Sequence, residues 1–339
     1  MAGSKSTLKK RAPRNRTITL SDSDTRRLGK QLRRKVPAER MTSPPEGVVH
    51  GDSALWLPIL PAESVDLAFL DPPYNLTKSF NGRTFSRRNE SEYTDWLGGV
   101  IRKLLPLLKR SATVYICGDW RTSHSIFEVA AEHFKIRNRI TWEREKGRGA
   151  RTNWKNSSED LWFCTVSDDY YFDVEAVKLR RRVIAPYTNS DGTPKDWDRT
   201  ESGNFRHTHP SNLWTDISIP FWSMPENTDH PTQKSEKLLA KLLLASTRPG
   251  DYVLDPFLGS GTTAVACKKL GRRSFGIEID EEYCLLALRR LELAESDSSI
   301  QGYADGVFWE RNTLSDQTRA ENGKCGSRHE EPAAPMLFD

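Results

Sequence analysis

"DYVLDPFLGSGTTAVACKKLGRRSFGIE" runs from Asp251 to Glu278. Tyr252–Leu254 is a short apolar run, and its pattern predicts a strand. Asp255, Phe257, Gly259, Ser260 and Gly261 then fill a loop, and a helix is predicted from about Thr262. A second strand, "SFGIE", ends on Glu278, 23 residues after Asp255. Glycines at a strand-to-helix junction let the chain turn sharply and let a ligand approach the backbone. An acid at the end of the next strand can accept hydrogen bonds from ribose hydroxyls. The loop lacks both the Lys-Ser/Thr of a phosphate-cradling P-loop and the full G-x-G-x-x-G pattern. These features point to a cofactor with an adenosine ribose and no phosphates to cradle. A glycine-rich turn without a ligand is the competing reading, and acids at two successive strand ends weigh against it.

The same alternation extends outward. "GVVHGDSALWLPILPAESVDLAFLDPPY" reads as strand, short helix and strand. "EYTDWLGGVIRKLLPLLKRSATVYICGDW" and "SHSIFEVAAEHFKIRNRITWER" each read as helix then strand, and "SEDLWFCTV" and "DYYFD" as further strands. "TQKSEKLLAKLLLAST" has an apolar stripe of Leu238, Leu239, Leu242 and Leu243, which predicts an amphipathic helix. Alternating strands and helices predict an α/β fold with a doubly wound, mostly parallel sheet.

A second stretch, "VDLAFLDPPYNL" from Val65 to Leu76, ends an apolar strand on Asp71, Pro72, Pro73 and Tyr74. Proline has no backbone N–H to donate, so the ladder must stop there. The result is either a plain turn or a rigid ledge that carries a carboxylate, fixed carbonyls and an aromatic face at a strand's carboxyl end.

"DPPY" at Asp71–Tyr74 together with "DPFLGSGTT" at Asp255–Thr263 resembles the S-adenosylmethionine-dependent amino-methyltransferases of DNA. DPPY precedes the glycine loop by 184 residues, which is similar to the permuted β group, where the target-recognition region lies between the two. "HPTQKSEKLL" at His230–Leu239 and "GDSALWLPILPAESVD" at Gly51–Asp66 match the neighbouring family segments, and the likeness covers roughly residues 48–293. The resemblance implies a Rossmann-like methyltransferase fold in permuted order. It implies methyl transfer from S-adenosylmethionine to the N6 amine of a flipped adenine in double-stranded DNA. Asp71, Pro72, Pro73 and Tyr74 would be catalytic: the carboxylate and the Pro72 carbonyl accept from the amine, and Tyr74 stacks on the base. Asp52, Ser53, Asp71, His230, Lys234, Asp255, Phe257, Gly259, Ser260, Gly261, Thr262 and Glu278 would line the cofactor site. For Asp52 and Ser53 helix capping is an equal account. His230 and Lys234 lie one helical turn apart if "HPTQK" is helical, near the cofactor's carboxylate or merely at a helix start with Lys234 in solvent. No metal is expected.

The net charge of +5 is uneven. Residues 1–45 hold 13 Lys and Arg against 3 Asp and Glu, a net of +10, and the remainder is −5. The chain therefore divides into a basic, disordered arm (1–45), a catalytic half (46–179), a target-recognition region (180–229), a cofactor-binding half (230–295) and a polar tail (296–339). A basic arm gains nucleic-acid affinity by counterion release. Lys78, Arg83, Arg87 and Arg88 in the loop after DPPY, and Arg199, Asn204, Arg206, His207 and Asn212 in the irregular region, are candidate DNA contacts. "EREKGRGARTNWKNSSED" (143–160) could track phosphates, and Trp142, Trp154 and Trp162 suit packing better than base stacking. Five scattered cysteines, no apolar run near 20 residues and no secretory h-region predict a cytoplasmic protein, held at the nucleoid through DNA. A restriction-modification system or an orphan methylase would suit this pattern, with a homodimer and a cognate restriction endonuclease as partners. N4 of cytosine is the nearest alternative target, but relatives of that kind more often carry Ser at the position of Asp71. A methyltransferase of structured RNA would generally place its cofactor loop first, and a catalytically silent DNA-binding module would not need Asp71, Gly259, Gly261 and Glu278 intact.

Overall fold

Eight runs rich in aliphatic and aromatic residues pair into one sheet. In this computed structural model, which describes residues 12–80, 83–144, 151–184, 187–200, 203–313 and 317, they are β1 (Gly47–His50), β2 (Val65–Leu70), β3 (Leu108–Gly118), β4 (Lys135–Glu143), β5 (Ser158–Thr165), β6 (Leu213–Trp214), β7 (Tyr252–Asp255) and β8 (Arg273–Glu278). Their spatial order is β1-β8-β7-β2-β3-β5-β4-β6. Neighbours run parallel except around β5, which is antiparallel to β3 and β4. The doubly wound, mostly parallel α/β sheet is as expected.

The helices are α1 (Asp22–Gln31), α2 (Ser53–Trp56), α3 (Glu90–Leu104), α4 (Ser123–His133), α5 (Glu236–Ser246), α6 (Thr262–Lys269) and α7 (Glu281–Ser296). Side chains alternate across a strand, so β2 feeds both faces. Ala68 and Leu70 join Leu97, Ile101 and Leu104 of α3 and Ile126 of α4 in one core. Leu67 and Phe69 join Leu238, Leu239, Leu242 and Leu243 of α5 in the other. A strand buried on both faces reads as the continuous apolar run seen in the sequence.

The chain departs from the sequence-based expectation in four places. Helix α5 is not amphipathic: from Glu236 to Ser246 only Leu244 escapes full burial. Its charges are neutralised internally, with Lys237 and Lys241 each 2.8 Å from Asp216, and Glu236 bonded to Lys269 at 2.7 Å and Arg290 at 2.9 Å. "DYYFD" forms no strand.

Among the described residues the basic arm holds a folded element, α1, where a disordered segment was expected. Ser21 and Asp24 form a reciprocal capping box that starts α1, and Leu28 and Leu32 pack with Val48, Cys284, Leu285 and Ala287. Arg34 reaches Glu281 at 2.6 Å, and the Ile18 amide donates to the Asn227 carbonyl at 2.8 Å. Local charge masked this short helix, whose burial signal is a single Leu pair four residues apart.

The fourth departure joins the tail to residues 179–208. A five-stranded sheet runs in the order Tyr303–Ala304, Val307–Trp309, Leu179–Arg182, Gly203–Thr208, Asp198–Thr200. Phe308 and Trp309 are buried, and the Arg311 guanidinium donates to the Ile217 carbonyl at 2.8 Å. Residues 303–311 therefore belong to the folded body, with Val307–Trp309 paired to Leu179–Arg182.

Leu28→Ala should lower stability by about 2–5 kcal/mol, as expected for a buried leucine truncated to alanine. A urea midpoint equal to that of the parent protein would show that α1 does not pack on α7.

Candidate active site

β2 and β7 pair in parallel, with Val253 opposite Leu67 and Leu254 opposite Ala68. Their carboxyl ends therefore lie side by side, and β8 follows, with Asp255 opposite Gly276. Ligands bind at such ends in open α/β sheets. A cavity of about 650 Å³ opens there, lined by Asp71–Tyr74, the 255–260 loop, Glu278 and His230. That volume is ordinary for a small-molecule or cofactor site (~300–1,000 Å³).

The acid–proline ledge is held at several points. The Tyr93 hydroxyl donates to the Pro73 carbonyl at 3.2 Å. Asn75 clamps Arg88 in both directions, its Nδ2 donating to the Arg88 carbonyl at 2.9 Å and its Oδ1 accepting the Arg88 amide at 2.8 Å. The Tyr74 hydroxyl donates to Asp71 Oδ1 at 3.3 Å, and burial pushes that phenol well above its usual range. The four residues assigned to catalysis thus lie together on the cavity wall.

Lys234 is not on a helix and not in solvent. Helix α5 begins only at Glu236, with Ser235 as its cap. The Lys234 ammonium is buried, donates to Asp71 Oδ2 at 2.6 Å, and lies 3.4 Å from Glu159 Oε2. Burial alone would push the ammonium down. The Asp71 and Glu159 carboxylates outweigh it and hold the ammonium above the usual lysine value. His230 packs edge-on against Tyr283 at 4.3 Å.

The glycine loop is built from behind. Asp255 accepts the Phe257 amide at 2.9 Å and the Thr263 hydroxyl at 2.6 Å. Burial raises its carboxyl to about 7, so it braces the loop from within. Glu278 accepts the Gly259 amide on one oxygen and the Asp280 amide on the other, each at 2.8 Å. A carboxylate oxygen has a second lone pair, so both can still accept ribose hydroxyls. Arg290, wholly buried, donates to the Ser260 carbonyl at 2.9 Å and to the Thr262 hydroxyl at 3.0 Å. Gly259 has φ +56°, and a Cβ there would stand 3.1 Å from His230 Nε2. Gly261 has φ +88°, and its Cβ would fall 2.5 Å from the Ala287 Cβ. Its lack of a side chain therefore serves the packing of α6 on α7. Asp52 caps α2 by accepting the Ala54 amide at 2.8 Å, and both it and Ser53 line the cavity.

The DNA-contact candidates are spread over several elements. Arg88 lies 5.4 Å from both the Phe85 and Trp96 rings and lines the main cavity; Arg87 lines a second cavity of about 590 Å³ beside it. Lys78 and Arg83 sit in paired strands, Lys78–Phe80 and Arg83–Phe85, but their side chains lie outside the described residues. Arg199, Arg206 and His207 are exposed on the second sheet, with Asn204 half-buried beside them. Asn212 is engaged elsewhere, donating to the Asn138 side chain at 3.2 Å and the Arg139 carbonyl at 3.1 Å. Residues 145–150 of the 143–160 stretch lie outside the described residues, while Trp142 and Trp162 are buried and Trp154 is exposed.

Sequence reading missed Glu159, Arg144, Arg290 and the exposed pair Trp120–Arg121 in the second cavity. Glu159 had a signal: it falls in phase with Leu161 and Phe163 on the inward face of β5. Arg290 had none, since its neighbours Arg289 and Glu292 suit a solvated face.

Gly261→Val should act on the fold and Glu278→Ala on the loop. Thermal unfolding is expected to drop several degrees for the first. For the second, S-adenosylmethionine affinity measured by calorimetry should fall at least tenfold in a folded protein. Unchanged affinity in Glu278→Ala would remove the acid from the cofactor site.

Known proteins place this arrangement. The chain is 35% identical over 255 residues to the DNA adenine methyltransferase YhdJ of Escherichia coli (strain K12), which covers 74% of this chain and 84% of that protein. It is 30% identical over 258 residues to the Type II methyltransferase M.BglII of Bacillus subtilis, covering 72% and 68%. Among solved structures it resembles the PvuII DNA methyltransferase (cytosine-N4-specific) with a TM-score of 0.53 at 17% identity, covering 77% of this chain and 93% of that one. It also resembles TTHA0409 from Thermus thermophilus, complexed with S-adenosyl-L-methionine, with a TM-score of 0.50 at 20% identity, covering 79% and 99%. These two likenesses establish the fold. Residues 65–289, with both strand ends and the cavity between them, match the DNA methylase family, and the chain belongs to that family.

Proposed function

We propose that this protein transfers a methyl group from S-adenosylmethionine to the N6 amine of a flipped adenine at specific sites in duplex DNA. The observation that carries the reading is the facing of two strand ends across one cavity: the Asp71–Tyr74 ledge on one side, the Gly259 loop and Glu278 on the other. The loop fits the cofactor's chemistry. Backbone with positive φ at Gly259, the carboxylate of Glu278 and the ring of Phe257 suit an adenosine, and the loop at 255–263 carries no lysine of P-loop type. The name of the YhdJ relative supports adenine, and Type II names among the relatives support a restriction-modification setting. The permuted β order, a homodimer and a partner endonuclease rest on the resemblance of the motifs alone.

When bound, the cofactor supplies a methyl carbon on a positively charged sulfur. The adenine amine is a weak nucleophile because its lone pair is delocalised into the ring. Asp71 and the Pro72 carbonyl accept its two N–H groups, which turns the lone pair out of the ring plane. The two prolines fix these acceptors before the substrate arrives, so no ordering cost falls on the reaction. Tyr74 offers its ring to the extruded base. The Gly259 loop and Glu278 would hold the methyl donor while Asp71 and the Pro72 carbonyl hold the amine that takes the methyl group. The surplus proton becomes acidic only on that transfer, and leaves along the hydrogen bond to Asp71. Holding the amine and the methyl donor together in one cavity would supply much of the rate.

Digestion of duplex DNA treated with the protein, followed by nucleoside analysis, should show N6-methyladenine. N4-methylcytosine in its place would shift the target base. Asp71→Ala should lose at least 100-fold in turnover while cofactor affinity stays within threefold of the parent.

The exposed groups of the second sheet support its role in sequence recognition. Arg can pair with guanine and Asn with adenine, each pair discriminating by about 1–3 kcal/mol. Alanine at Arg199, Asn204, Arg206 and His207 together should therefore change which sites are methylated, as read by methylation sequencing, and leave cofactor affinity unaltered. An unchanged site profile would move recognition to the loop around Arg87 and Arg88.

A further inference from the structure

Asp71 can accept a target amine, as the function proposed above requires and as the present inference presupposes, only when its carboxylate is open to that amine. In the structure Lys234 Nζ holds Asp71 Oδ2 at 2.6 Å and lies 3.4 Å from the Tyr74 hydroxyl. The Lys234 side chain is only 6% exposed and lines the cavity. An ammonium in this place opposes the reaction twice. It competes with the amine N–H for Asp71 Oδ2. It also repels the positive charge that grows on the amine nitrogen as the methyl group arrives.

A second carboxylate stands within reach. Glu159, on β5, is 3% exposed and takes the Arg144 guanidinium on Oε1. Its Oε2 is buried, accepts no hydrogen bond among the described residues, and lies 3.4 Å from Lys234 Nζ. A buried acceptor left without a donor is costly, and a small rotation of the lysine side chain would satisfy it. The groups that face the ammonium are Asp71 and Tyr74 from the end of β2, Cys117 from β3 and Glu159 from β5, with Arg144 behind Glu159. Two acids oppose two bases. Moving the ammonium from one acid to the other keeps the cluster neutral and takes the counter-ion from Asp71 to Glu159, which Arg144 also faces.

We infer that Lys234 is a movable counter-ion. It neutralises Asp71 in the free protein, and it turns to Glu159 when the target amine enters, which leaves Asp71 ionised at the reacting nitrogen. Glu159 is then a positioning residue that acts on the reaction through Lys234.

The test compares kcat and KM for unmethylated genomic duplex DNA, with calorimetry of S-adenosylhomocysteine binding to show that each variant keeps its fold and cofactor site. Glu159→Gln should lower kcat at least 30-fold with KM for DNA within threefold, because the amide cannot draw the ammonium away. Glu159→Asp should recover most of that loss. In a Lys234→Met background, Glu159→Gln should change kcat less than threefold, since no ammonium remains to be moved. A Glu159→Gln kcat within threefold of the parent overturns the inference, as does an equal loss with and without Lys234. Should Lys234→Met be too unstable or too slow to compare, the Gln–Asp contrast decides, and equal losses in both overturn it. Absence of methyl transfer by the parent protein overturns the proposed function itself. Normal transfer with an indifferent Glu159 overturns only the role of the counter-ion.

Discussion

The parallel pairing of β2 with β7 is the contact on which the site depends. Val253 opposite Leu67 and Leu254 opposite Ala68 fix the register between segments far apart in the chain. In a parallel pair both carboxyl ends emerge on the same edge, so Asp71 and Asp255 leave the sheet together. A slip of one residue would turn Leu67 and Phe69 toward the wrong core, so two cores hold the register as firmly as the backbone ladder does. The two prolines then stop β2 at that edge, and the glycine loop ends β7 beside it.

Around this edge the protein buries an unusual set of charges. Lys234, Lys237, Lys241, Glu236 and Arg290 all lie inside, on or next to α5 and α7. Taking an ion out of water costs several kcal/mol, and a partner of opposite charge offsets that cost only with good geometry. Here each has one: Asp216 for the two lysines of α5, Arg290 and Lys269 for Glu236, Asp71 and Glu159 for Lys234. Removing a single member would leave its partner charged in a dry interior. Arg290 is the clearest example of structure made for function, since it joins α5 to the back of the glycine loop through Glu236, Ser260 and Thr262.

The ends of the chain support the site from outside. Helix α1 packs on α7, which carries Arg290, and the stretch before it pairs with residues 222–228 leading to His230. The strands at 303–309 complete the sheet that displays Arg199, Arg206 and His207. The Lys237 ammonium donates to the Trp309 carbonyl and thereby ties this outer sheet to α5. The second sheet and residues 222–228 are thus held by segments on either side of the methyltransferase body in sequence.

The α/β class, seven of the sheet's eight strands and both strand-end motifs were determined by the sequence alone, because period-two and helical apolar patterns and the backbone limits of Pro and Gly are local properties. Asp71–Tyr74 and Gly259–Glu278 were legible for that reason. Tertiary structure decided what local pattern could not carry. It made α5 a buried helix by supplying counter-ions from other elements, and gave α1 a place by packing Leu28 against α7. It showed that Gly261 answers to Ala287 and set Lys234 on Asp71 with Glu159 waiting behind. A charge looks solvated in a sequence until its partner is known, and that partner is chosen by the fold, here from strands and helices tens to hundreds of residues away.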